Sequence, residues 1–122
     1  MLGRLIDLAV VTRTALRIAL YYERESLDVV VERALAGRLL RRDLEALTET
    51  AERWLWLLPP RRMRPCLKRA VLRASLSTRC GEPARVHIGF CSSAGSFEGH
   101  AWVTTDPETP PPDGFTELVA LP

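Results

Sequence analysis

The chain has 122 residues, 47% of them hydrophobic, enough for one core and too few for two, so a single domain over 1–122 is expected. The 17 Lys and Arg residues nearly balance 15 Asp and Glu, which removes any general electrostatic argument for nucleic acid. Three cysteines without close-set pairs exclude a disulfide framework and give no zinc-type spacing; with no secretory signal ahead of them, a reducing cytoplasm is the expected home.

From Leu2 to about Tyr22 the apolar positions Leu2, Leu5, Ile6, Ala9, Leu16 and Leu20 fall on one side of a helix, which predicts an amphipathic element covering the core. Arg4, Asp7, Arg13 and Arg17 interrupt the apolar run well before the roughly 20 residues of a membrane span, so a soluble chain is expected. Ser26 reads as the N-cap of a second, short helix carrying Leu27, Val30, Val31, Ala34 and Leu35, with Gly37 as its stop. Asp43 reads as the cap of a third, with Leu44, Leu47, Ala51, Trp54, Leu55 and Leu58, ended by Pro59 and Pro60. Of Trp54 and Trp56, at least one is expected in the core.

Residues 1–60 thus form a helical portion, and 61–122 bring the chemistry. Pro65 suits the first position of a helix running to about Arg79, because its missing N–H would be unpaired there anyway. Cys66 follows in the first turn, where free backbone N–H groups, the helix dipole and Arg64, Lys68 and Arg69 favour negative charge on sulfur. Arg38, Arg41, Arg42, Arg61, Arg62, Arg64, Lys68, Arg69 and Arg73 concentrate in the middle third, which predicts a basic patch near Cys66. After Cys80-Gly81-Glu82-Pro83 the period changes to two. Val86, Ile88 and Phe90 alternate with His87, Gly89 and Cys91 in one strand. Phe97 to Thr105 forms another, with His100 on the side of Trp102 and Thr104. Pro110, Pro111 and Pro112 require a loop, and Phe115 to Leu121 forms a last strand. Helices followed by a small antiparallel sheet make an α+β fold.

A nucleophilic cysteine needs a base, and the base a group to orient it; the sequence offers two histidines, His87 and His100. Cys66-Leu67-Lys68-Arg69-Ala70, then Val86-His87-Ile88-Gly89-Phe90, then Phe97-Glu98-Gly99-His100-Ala101-Trp102-Val103 resemble the transglutaminase-like, papain-related leader peptidases of lasso peptide biosynthesis. The resemblance is to the stand-alone protease half of the split maturation protein, and its motifs cover roughly Pro65 to Leu121. It implies a transglutaminase or papain-like core and a Cys-His-Asp triad of Cys66, His100 and Asp113. Asp106 and Glu117 are rivals for the third place: a symmetric hairpin through 105–112 would set Glu117 opposite His100. The resemblance also implies a precursor peptide as substrate, a separate leader-peptide recognition protein and a lasso cyclase as partners, and no cofactor or metal. The competing expectations are a non-catalytic scaffold of the same complex, a metal-binding module using the cysteines and histidines, and a nucleic-acid binder using the arginines. Cys80 and Cys91 are read as structural.

Overall fold

The computed structural model describes residues 2–93, 96–106, 109–111 and 115–121; residues 91–93, 96–98, 118 and 119 are described by backbone alone. Four helices come first, α1 (Leu2–Tyr22), α2 (Leu27–Leu35), α3 (Leu44–Trp54) and α4 (Pro65–Arg79), and three strands follow, β1 (Arg85–Ser93), β2 (Ser96–Thr104) and β3 (Thr116–Leu121). This is the α+β arrangement that the change of period predicts. One hydrophobic cluster runs through it, from Val11 and Ile18 of α1 through Val31 and Leu47 to Val71 and Ala74 of α4, and on to Val86, Ala101 and Leu121 of the sheet.

The hub is α4, which packs against the other three helices and against β2 and β1. Small residues make that possible. Ala70, Ala74 and Ser75 are almost fully buried, and the Ser75 hydroxyl donates to the carbonyl of Ala34 at 2.5 Å, satisfying a polar group that burial would otherwise penalise. Lys68 is buried too, its Nζ donating to the Leu58 carbonyl at 2.9 Å.

Two expectations for the helical portion are corrected. α1 buries Val11, Thr14, Ala15 and Ile18, while Leu2, Leu5, Ile6, Leu16 and Leu20 face outward. The helix is apolar nearly all round, so the sequence holds two opposed stripes; the packed one has the smaller side chains, which let α1 approach its neighbours closely. Its polar members have partners: Thr14 donates to the Val10 carbonyl and Asp7 takes the Arg42 guanidinium at 2.5 Å. Neither Trp54 nor Trp56 is core: they are 39% and 84% exposed. Leu55 and Leu58 occupy the inward positions instead. The expected caps are also different in detail. Ser26 and Asp43 have the extended backbone of an N-cap, but neither side chain caps its helix, and the Ser26 hydroxyl bonds to Asp28.

The sheet has the order β2-β1-β3, antiparallel throughout. Gly89 pairs with His100 on one side and Glu117 on the other, with a bulge between Ile88 and Gly89 in the β3 pairing. The hairpin that would set Glu117 opposite His100 is therefore not formed; β3 crosses to the far edge of β1. Alternation then sorts the sheet. Val86, Ala101, Val103 and Leu121 face the helices, while His87, His100, Trp102 and Thr104 belong to the other face. Among the described residues no helix is long and apolar enough to cross a membrane.

Candidate functional site

The first turn of α4 follows the sequence expectation closely. Arg64 occupies the N-cap with extended backbone, Pro65 the first helical position, and no acidic residue stands in the turn. The Lys68 N–H closes the first helical bond to the Arg64 carbonyl at 2.9 Å, which leaves the N–H of Cys66 among the donors without a partner inside the helix. Cys66 is a free, half-buried thiol. Pro65, Lys68 and Arg69 of this helix line a cavity of about 350 Å³ together with Trp56, Leu57 and Arg61; Cys66 is not in that lining. Burial and then the charge of Arg61 push the Lys68 ammonium below the ordinary lysine value.

Ser77 lines one cavity with Val103 and Thr105, and Thr78 another with Thr104 and Thr105, which fixes the C-terminal end of α4 against the end of β2. Eleven residues of helix from Ser77 back to Cys66 span about 17 Å, and five residues of strand from Thr105 back to His100 span a similar length. On β2, an edge strand, Gly99 borders open space: a Cβ there would meet nothing within 4 Å.

His100 itself stands on the outer face of the sheet in a row of rings. Its imidazole lies 5.2 Å from the Phe115 ring and 6.3 Å, nearly parallel, from Trp102; Trp102 in turn stacks on His87 at 5.6 Å. The indole is seated by Gly89, where a Cβ would come within 2.7 Å of Trp102 and 2.5 Å of the Thr116 carbonyl oxygen. This slot was legible in principle, because a glycine inside a strand often marks a close approach. His87 is buried, with Nε2 2.6 Å from the Thr104 hydroxyl. Its Nδ1 is 3.2 Å from a Glu117 oxygen, in ion-pair range but without hydrogen-bond alignment. Sequence reasoning missed this network; the only signal is that His87 and Thr104 share a face on neighbouring strands.

The expected site residues are thus distributed as follows. Among the described residues no hydrogen bond joins Cys66 and His100; Cys66 lies on the helix side of the sheet and His100 on the other. Asp113 lies outside the described residues. Asp106 is exposed and opens a turn in which its carbonyl accepts from the Thr109 N–H. Glu117 serves His87. Cys80 contacts the Arg42 carbonyl through sulfur at 3.7 Å, as a structural thiol would, and the Cys91 side chain lies outside the description. The expected basic patch is divided: Arg42 is engaged by Asp7 and Arg69 by Glu52, Arg38 turns to the far end of α4, and Arg61 shares a cavity with Pro65 and Lys68 at its near end.

A helix with a cysteine in its first turn, packed on an antiparallel sheet that carries histidines, fits the transglutaminase-like class. The transglutaminase-like superfamily pattern matches residues 8–119, so the chain belongs to that superfamily, and the match takes in the helical portion as well as the motif-bearing half. Neither the curated proteins nor the solved structures include a significant match.

Proposed function

We propose that this protein is a cysteine peptidase that removes the leader peptide from a lasso peptide precursor, acting with a separate leader-recognition protein. The observation that carries the reading is Cys66 in the first turn of α4, a helix packed on the strand that bears His100, in a chain of the transglutaminase-like superfamily. In the proposed reaction His100 takes the Cys66 proton and the thiolate attacks the carbonyl at the leader–core junction. The oxyanion accepts from the Cys66 backbone N–H, as a free donor of the first helical turn can provide. Collapse breaks the C–N bond, His100 returns the proton to the leaving amine, and water then hydrolyses the thioester. The amine product is a core peptide with a free amino terminus, which a lasso cyclase would join to an acidic side chain.

Asp113 is the proposed third member. Phe115, two residues further along the chain, packs on the His100 ring, and Glu117 is engaged with His87. Catalysis in this scheme requires the His100 imidazole, which stands on the outer face of the sheet with Phe115 and Trp102, to reach Cys66 on the helix side. The second reading, a non-catalytic scaffold, draws on the opposite faces that the two side chains occupy.

Mass spectrometry of a lasso precursor incubated with the protein and its recognition partner separates the two. The peptidase reading expects cleavage at one junction by the wild type, and none by Cys66→Ala or His100→Ala variants whose circular dichroism is unchanged. Cleavage that survives Cys66→Ala contradicts it.

A further inference from the structure

Far from Cys66, four arginines meet over a cavity of about 470 Å³: Arg13 and Arg17 of α1, Arg38 of the segment after α2, and Arg79 in the last turn of α4. Thirteen residues of helix, about 20 Å, separate Arg79 from Cys66. No carboxylate lines this cavity, and among the described residues none of the four arginines makes an ion pair. The arrangement is built, not incidental. Arg79 is held by donating to the Thr14 hydroxyl at 3.0 Å and to the Arg38 carbonyl at 3.2 Å. Gly37, at φ 147°, forms part of the lining; a Cβ there would stand 2.6 Å from Arg17 Nη1 and 3.1 Å from Arg79 Nε. A side chain there would have to displace the Arg17 guanidinium, and the positive φ itself favours glycine.

The helix dipole accounts for Arg79, at a C-terminus where a cation is favoured. It does not account for Arg13, Arg17 or Arg38. Burial, and then the charges of Arg17 and Arg13, lower the Arg79 guanidinium from its ordinary value, with Cys80 opposing. Guanidinium forks match carboxylates in pairs of hydrogen bonds. Leu39, 67% exposed, and Leu40 line the same cavity, so the site offers aliphatic surface alongside its charge.

We propose that this cavity binds an acidic peptide segment, with its carboxylates among the four guanidiniums and an aliphatic side chain against Leu39. The mixed lining favours a peptide over a bare oxyanion, and the proposal stands whether or not Cys66 is a nucleophile. The test is fluorescence anisotropy of the full chain with a fluorescein-labelled peptide of alternating Glu and Leu, and with its Lys–Leu counterpart. The Glu–Leu peptide is expected to bind, and to bind less well in high salt. The Arg13→Ala/Arg38→Ala variant, which changes two exposed residues, is expected to lose about tenfold or more in affinity. Its thermal midpoint should hold or rise as like charges separate, a combination that simple damage to the fold would not give. Arg38→Glu, outside any helix, repeats the test should the double variant melt early. Absence of binding, equal binding of the Lys–Leu peptide, unchanged affinity in the variants, or displacement by inorganic phosphate at concentrations matching the peptide would each overturn the proposal.

Discussion

The two ends of α4 carry the same residue type in opposite surroundings. Cys66 lies in the first turn, near free N–H groups and the cationic residues Arg64, Lys68 and Arg69. Cys80 is the C-cap, its own N–H bonded to the Leu76 and Ser77 carbonyls, its sulfur against the Arg42 carbonyl. Burial pushes the Cys80 thiol above its ordinary value; Arg79 opposes that push, while Glu82 and Asp43 add to it. Position along one helix, rather than composition, therefore separates a thiol suited to attack from one suited to packing. The arginines divide by the same logic. Near Cys66 they add to a positive helix end, whereas Arg79 answers a negative one.

The largest effect should come from exchanging the cysteines one at a time. Cys66→Ala is expected to lower precursor cleavage by about a thousandfold or more, some 4 kcal/mol on the barrier, while Cys80→Ala leaves it within about twofold. Equal losses would break the comparison. Next in size is the slot that seats the ring row on the outer face of the sheet. Gly89→Ala forces a Cβ onto a backbone carbonyl and the Trp102 ring, and urea unfolding should show a loss of about 1–3 kcal/mol. An unchanged midpoint would mean that Trp102 is not seated as described. Smaller again is Ser75→Ala in the middle of α4. It leaves the Ala34 carbonyl without its donor and should cost about 1–2 kcal/mol in the same assay, testing whether the helix is anchored between its two ends.

The smallest effect is a pH dependence at the Cys80 end. Because its thiol is raised in the folded chain, the unfolded chain ionises first as pH rises. The stability it contributes is whole below the ordinary value of 9.0 and is lost as pH rises through the higher folded value. Wild type should therefore fall in stability relative to Cys80→Ala above about pH 9 and run parallel to it below; the opposite sign would remove burial as the cause.

The comparison also shows which features a sequence can disclose. The Cys66 turn was legible because Pro65, the cysteine and the helical spacing are contiguous, and local rules suffice. The helix and strand boundaries were legible for the same reason, to within a residue or two in most cases. The burial of α1 was not, since two opposed stripes of a nearly uniformly apolar helix can each satisfy the periodicity, and only packing against α2, α3 and α4 chooses between them. Nor was strand order. The proline-bearing connection after β2 permits β3 to pair at either edge of the β-hairpin, and the choice of β1 transferred Glu117 from His100 to His87. The arginine cluster required three elements distant in sequence to converge, so a run-based reading grouped Arg38 with Cys66 when it faces Arg79.

The most direct test of the central claim needs no precursor. The rate at which iodoacetamide alkylates each cysteine, read by peptide mass mapping across neutral pH, should be highest at Cys66 and far lower at Cys80. In the His100→Ala variant, the Cys66 rate should fall by about tenfold or more towards that of an ordinary thiol. A Cys66 rate that is unaffected by the loss of His100, or one no higher than that of Cys80, would contradict the pairing on which the account rests.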